Sequence, residues 1–333
     1  MAELVIPSLC KTYEGLFDIG AAVNLKTIKS SEQLLSKHFN SITAENDMKF
    51  ALVHPEPEQY TFEAGDELLA FAKRYNMKMR GHTLVWHNQT TDWVFDDNGK
   101  PASRELLLAR MKSHIDTVLG RYKGDIYCWD VVNEVIDDKH GAFYRDSKWL
   151  HQIGDDFVAK AFQYAHEADP NALLFYNDYN ESTPEKRDKI VKLIKGLKEQ
   201  DVPIHGMGLQ GHWNLSGPSI DDIRQAIEAY ASLDVTLHVT ELDVSVFDSE
   251  DHRKDLKAPT EEMLEKQAVR YDQIFSLFRE YKKEISSVTF WGAGEDYTWL
   301  DYFPVIGRKN WPFVFDEKHQ TKQSFWNIVN WDK

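Results

Sequence analysis

Apolar and polar positions along this 333-residue chain switch repeatedly between two rhythms. Short runs rich in aromatic and β-branched residues, the composition of buried strands, alternate with longer runs whose apolar residues recur three and four positions apart, the spacing of one helix face. Strand-like runs occupy 17–24, 41–47, 79–87, 126–134, 173–180, 206–213, 234–243 and 287–292; helix-like runs occupy 31–40, 64–76, 103–121, 155–166, 184–200, 219–232, 261–283 and 322–329. Eight βα units in strict alternation imply parallel strands with helices outside them. A closed (β/α)8 TIM barrel is expected rather than an open doubly wound sheet, because eight units fit closure and no G-x-G-x-x-G follows the first strand.

Local signals support the helices. Ile190, Leu193, Ile194 and Leu197 make one apolar stripe with lysines between them. Thr183-Pro184 supplies an N-cap followed by proline at the first helical position, and Ser219 with Asp222 reads as an acidic form of the capping box. No composition shift or Ser/Gly/Pro linker divides the sequence, so residues 1–333 are read as one domain without an added carbohydrate-binding module.

Composition narrows the partners. A formal net charge of -15 with no Lys/Arg stripe argues against nucleic acid. No apolar run approaches the roughly 20 residues that would span a bilayer. The start lacks a secretion-signal pattern and only Cys10 and Cys128 are present, which together suggest the cytoplasm. Nothing in the pattern fixes the oligomeric state, and a homo-oligomer is compatible with it. Aromatic residues make up 13% of the chain, with 10 Trp; most are expected in the core, and the remainder as faces for the apolar C–H side of a sugar.

In a barrel the chemistry projects from the C-terminal strand ends. Those ends here read Glu45-Asn46-Asp47 with Lys49; His82 and Trp86 with His87 and Gln89; Asn133-Glu134; Asn177-Asp178-Tyr179-Asn180; Gln210 and His212; Glu241 with Asp243; and Trp291 leading to Trp299. A lone strand-end carboxylate is often a cap or a salt-bridge partner, and a lone His or Trp is often packing. Glu134 and Glu241, arriving on the fourth and seventh strands with Asn and His beside them, suggest instead a working pair. Glycoside hydrolysis uses such a pair: a carboxylic acid protonates the leaving oxygen and a carboxylate attacks the anomeric carbon. No metal or other cofactor is implied, since clustered histidine ligands and a phosphate-cradling glycine loop are both missing. His38, His114, His166 and His252 fall in helical or loop context and are read as non-functional.

Trp129-Asp130-Val131-Val132-Asn133-Glu134 and Val239-Thr240-Glu241-Leu242-Asp243 resemble the acid/base and nucleophile motifs of glycoside hydrolase family 10, the endo-β-1,4-xylanases. The resemblance extends to Thr43–Lys49, Gly81–His87, Asn177–Asn180, Gly208–His212 and Trp291-Gly292, and so spans about residues 17 to 330. It implies a retaining double displacement on xylan or xylo-oligosaccharides, with Glu134 as acid/base, Glu241 as nucleophile and their carboxyl groups about 5 to 5.5 Å apart. Asn133 would bond the sugar 2-hydroxyl, His212 would hold Glu241, Asp243 would orient His212, and Gln210 would contact Glu134 or the nucleophile's surroundings. Glu45, Asn46, Lys49, His82, Trp86 and Gln89 would bind the glycone side, Trp291 and Trp299 would wall it, and Tyr179 would carry the aglycone. Where the family usually has Asp three residues after the strand-eight Trp-Gly, this chain has Glu295, expected in a support role near that wall. Three rivals are a barrel acting on β-1,4-glucosides, disfavoured if Trp299 or Trp86 excludes the 6-hydroxymethyl group; a sugar-binding barrel without catalysis, disfavoured by the intact carboxylates; and a metal-dependent barrel hydrolase, which would lose activity to a chelator, a loss that is not expected.

Overall fold

In the computed structural model, which describes residues 5–331, the apolar runs form eight parallel strands: β1 Asp18–Val23, β2 Ser41–Ala44, β3 Lys78–Trp86, β4 Cys128–Asn133, β5 Leu173–Asp178, β6 Gly206–Leu209, β7 Thr236–Ser245 and β8 Ile285–Phe290. Each pairs with its sequence neighbours, and β8 pairs with both β7 and β1, which closes the sheet into a barrel. Closure leaves the eight barrel strands without a free edge, and strands buried on both faces need no polar alternation.

The helices α1 Glu32–His38, α2 Glu63–Arg74, α3 Arg104–Tyr122, α4 Phe157–Ala168, α5 Pro184–Glu199, α6 Ile220–Ala231, α7 Glu261–Glu280 and α8 Gln323–Val329 follow the strands in turn. Their apolar stripes face the barrel: Ile190, Leu193, Ile194 and Leu197 of α5 are all buried. The lysines between them do not share one environment. Lys186 is buried, with Nζ 2.9 Å from both Asp138 and Asp178. Ser219 caps α6 by accepting the Asp222 N–H at 3.0 Å, and the Asp222 carboxylate accepts the Ser219 hydroxyl at 2.6 Å. Thr183 stands at the N-cap of α5 with extended backbone but makes no side-chain cap bond, so there the Pro184 ring's fixed φ supplies the start signal.

Two strands end differently from expectation. The sixth breaks after Leu209, and His212–Asn214 forms a separate short strand beside the extension of β7, with His212 in register with Asp243. The second stops at Ala44, leaving Glu45 to Lys49 as a rim loop. Neighbouring barrel strands meet in close contact. Trp129 lies over Gly81, where an added Cβ would stand 2.2 Å from the indole. Inside, Arg80 and Asp130 form a fully buried ion pair at 2.7 Å, directly beneath the C-terminal rim.

Candidate active site

β4 ends at Asn133, and the next residue, Glu134, takes a left-handed backbone with φ +58°. For a residue with a Cβ this conformation costs about 1 to 2 kcal/mol, and neighbouring bonds hold it. The Glu134 N–H donates to the Asn177 carbonyl at 2.9 Å, its own carbonyl accepts Arg145 Nε at 2.9 Å, and the next two amides donate to the Tyr176 hydroxyl at 3.2 and 3.3 Å. The chain thereby turns out of the strand and delivers the carboxylate above the barrel. There Trp86 Nε1 donates to Oε2 at 2.9 Å and Gln210 Nε2 donates to Oε1 at 3.0 Å.

Glu241 is delivered by an irregularity of β7, whose register against β8 shifts between Val239 and Leu242. Such shifts re-aim a side chain without ending the strand. Its Oε1 accepts Asn177 Nδ2 at 2.9 Å, and its Oε2 lies 3.0 Å from His212 Nε2. The other ring nitrogen of His212 lies 2.9 Å from Asp243 Oδ2, which also accepts Trp299 Nε1 at 2.8 Å. His82 stands on the far side, its Nδ1 2.9 Å from buried Asp130 and its Nε2 4.0 Å from Glu241.

The two glutamates are tied together through amides. Asn177 Nδ2 also donates to Asn133 Oδ1 at 2.9 Å, and Gln210 Nε2 approaches that same oxygen at 3.4 Å. With its carbonyl committed, Asn133 has only its NH2 to offer a ligand. Asn177 is held in turn by Thr240, whose hydroxyl donates to its carbonyl oxygen at 2.6 Å.

Charge follows from these contacts. Burial pushes the Glu241 carboxyl up, but the His212 bond and its neighbours His82, His212 and Lys49 outweigh it and hold the pKa below the ordinary carboxylate value. Burial opposes charge on His212 as well, yet Asp243 and Glu241 raise it to about 10, so the ring is an imidazolium at neutral pH. Lys49 is lowered by burial, against the pull of Glu241, Glu45 and Glu134.

Every predicted site residue except Asp243 lines one cleft of about 560 Å³. At one end Lys49 donates to Asn46 at 2.9 Å and to Gln89 at 3.0 Å, with its ammonium 4.8 Å from the Trp86 ring centre. Glu45 accepts Asn24 Nδ2 at 3.0 Å. Trp291 meets His82 edge-on at 5.3 Å, and Trp299 stacks on Phe303 at 5.2 Å. At the other end Tyr179 accepts a bond from Arg145 and donates one to Asp138, both at 2.6 Å. Asp243 sits behind the wall, reaching the site only through His212 and Trp299. Glu295 is also removed from the cleft: it is buried and paired with Lys322, whose ammonium donates to the Trp311 and Phe313 carbonyls. It anchors the segment that follows Trp299 and lines no part of the wall.

Sequence reasoning gave no role to Asn177, Arg145, His87, Asn88, Asn180 or Phe303, all at or beside the cleft. Asn177 lay in a strand-end motif and could have been found by its inward parity with Asn133. Arg145 and Phe303 lie in irregular loops, where no periodicity marks them. Among the described residues no group of His, Cys, Asp and Glu could hold a metal ion.

A parallel barrel whose rim presents two hydrogen-bonded glutamates in a polar cleft walled by tryptophan has the build of a barrel glycosidase. This chain belongs to glycosyl hydrolase family 10, whose sequence pattern matches residues 8–331. It is 60% identical over 328 residues to endo-1,4-beta-xylanase B of Paenibacillus barcinonensis, covering 98% of this chain and 99% of that protein. It is 57% identical to an endo-1,4-beta-xylanase of Geobacillus stearothermophilus, covering 98% of each. The crystal structure of the Paenibacillus barcinonensis xylanase bound to a conduramine derivative superposes with a TM-score of 0.97 over 98% of this chain and 99% of that one, at 60% identity.

Proposed function

We propose that this chain is a retaining endo-β-1,4-xylanase that cleaves internal bonds of xylan and xylo-oligosaccharides through a covalent glycosyl-enzyme intermediate. The observation that carries the reading is the opposite equipping of the two carboxylates. Glu241 is buried, held below its ordinary pKa and oriented by His212 and Asn177, which suits an ionised nucleophile. Glu134 meets neutral donors only, Trp86 and Gln210, which suits a group that must gain and lose a proton. In the first step Glu241 bonds to the anomeric carbon as Glu134 gives its proton to the leaving sugar oxygen; in the second, Glu134 takes a proton from water, which attacks the same carbon and releases Glu241.

The Asn46, Lys49 and Gln89 end is the glycone side and Tyr179 the aglycone side, with Asn133 donating its NH2 to the 2-hydroxyl of the sugar under attack. Both cysteines are free, which fits a reducing compartment, and we place the enzyme in the cytoplasm. Proton NMR of xylopentaose digestion tests the mechanism. The β anomer of the shorter product is expected before mutarotation; the α anomer appearing first overturns retention, and no cleavage overturns the substrate.

A further inference from the structure

Behind the aglycone end of the cleft, side chains and backbone form one closed hydrogen-bonded belt. It runs from the Glu134 carbonyl to Arg145 Nε (2.9 Å), from Arg145 to the Tyr179 hydroxyl (2.6 Å), and from that hydroxyl to Asp138 (2.6 Å). Asp138 accepts Lys186 Nζ at 2.9 Å, and the same ammonium lies 2.9 Å from buried Asp178 and 3.8 Å from the centre of the Tyr179 ring. Asp178 accepts the Tyr176 hydroxyl, and that hydroxyl receives the Val135 and Ile136 amides immediately after Glu134. Arg145 closes a second link through its own N–H, which donates to the Val135 carbonyl at 2.7 Å.

The belt therefore begins on the carbonyl of Glu134, whose φ is left-handed at +58°, and ends on the amides of the two residues that follow it. A left-handed backbone is strained in a glutamate, so neighbouring bonds must hold it, and a change in its φ moves the carboxyl tip. Arg145 is also the only member that touches both the Glu134 main chain and the Tyr179 hydroxyl among the described residues. Its side chain keeps 21% of its surface exposed, so it stands in the cleft wall instead of the core.

We propose that Arg145 is a positioning residue that couples a sugar resting on Tyr179 to the placement of Glu134. A sugar packed on the Tyr179 ring restrains the phenol, the phenol's hydroxyl fixes the guanidinium, and the guanidinium fixes the carbonyl from which the Glu134 side chain departs. This rests on the acid/base reading of Glu134 above and adds to it a residue that acts without contacting the reacting atoms. The benefit falls on the proton-donating step, so it matters most when the leaving group is a poor one, such as a sugar hydroxyl.

The test is kcat/KM, which reports formation of the glycosyl-enzyme, for a series of aryl β-xylobiosides from 2,4-dinitrophenyl to phenyl, together with xylopentaose. General acid catalysis contributes about 10²- to 10⁴-fold, so a misplaced acid is expected to forfeit part of that range. For Arg145→Met the loss on xylopentaose and the phenyl glycoside is expected to exceed the loss on the dinitrophenyl glycoside by at least ~10-fold. Arg145→Lys, which cannot span two acceptors with a planar fork, is expected in between. Tyr179→Phe keeps the ring and removes the hydroxyl; it is expected to show the same selective loss more weakly, and to be non-additive with Arg145→Met. This variant keeps the question open to measurement if Arg145→Met folds poorly. A loss uniform across leaving groups, or an additive double variant, overturns the coupling. Glu134→Ala in the same series separates the premises: a steep leaving-group dependence upholds the acid assignment, whereas a flat one overturns that assignment and the proposal with it.

Discussion

Protonation at Glu241 is governed by His212 from a neighbouring strand and, through it, by Asp243, two residues beyond Glu241 on its own strand. Asp243 is the principal anion beside His212, and without it only Glu241 opposes burial, which favours the neutral imidazole. Glu241 would then lose a positive neighbour and its pKa would rise. Because a nucleophile must be ionised, activity is lost as pH falls through that pKa, so the sign is an upward move. Asp243→Asn is expected to shift the acid limb of the kcat/KM profile to higher pH. An unmoved limb would show that Asp243 acts only by supporting Trp299. Glu241→Gln keeps the shape and hydrogen-bonding capacity of the side chain but cannot form the intermediate. Turnover of xylopentaose is expected to fall by at least ~10³-fold while calorimetry still detects binding; retained turnover would remove Glu241 from the reaction.

At the level of strands, closeness between neighbours sets what each position tolerates. An added Cβ at Gly208 of β6 would lie 2.3 Å from Asn177 Oδ1, the amide that joins Glu241 to Asn133. Gly208→Ala is therefore expected to turn the Asn177 side chain and lower kcat/KM by about 10- to 100-fold, an interaction loss of about 1.4 to 2.7 kcal/mol. Gly81→Ala meets the buried Trp129 ring on the outer face of the barrel, away from the cleft. There overpacking of about 1 to 3 kcal/mol should lower the urea midpoint. The two variants separate the roles of the strands: one should injure activity more than stability, and the other the reverse. Equal damage to both properties in both variants would contradict this division.

The whole molecule carries several histidines buried in neutral form. His38 and His54 are lowered to about 4 by burial, and burial lowers His114 and His238 well below the ordinary value. In the unfolded chain these groups take a proton near pH 6.5 while in the folded chain they resist, so their contribution to stability is lost as pH falls from 6.5 toward 4. Asp178, at about 6, and Glu181 and Glu295, at about 7, are raised by burial and act in the opposite sense, favouring the fold more at pH 4.5 than at pH 7. The histidines outnumber them, so the melting temperature is expected to decline on acidification from pH 6.5 to 4.5. A rising melting temperature over that window would mean that the buried carboxyls dominate. Chelation is expected to leave kcat/KM unchanged, since the reaction is assigned wholly to carboxyl, amide and imidazole groups; loss of activity restored by a divalent ion would contradict that assignment.

Much of this was legible from residue order alone, for physical reasons. Periodicity located the eight strands because burial on both faces of a closed sheet forces continuous apolar runs, and the alternation with amphipathic helices fixed their parallel direction. The C-terminal ends of those strands then marked where Glu134, Glu241 and the other cleft residues had to gather. The tertiary structure decided matters that depend on distance between separate elements. It put Asp243 behind His212 and Trp299, and carried Glu295 away from the wall to Lys322. It also drew Lys186 inward to Asp138 and Asp178, although helix spacing set it among surface lysines. Arg145 became a partner of the Glu134 main chain through a loop that has no period to read. Sequence patterns report which face of an element is buried; only the packed fold reports which polar groups, brought there from distant positions, must satisfy one another.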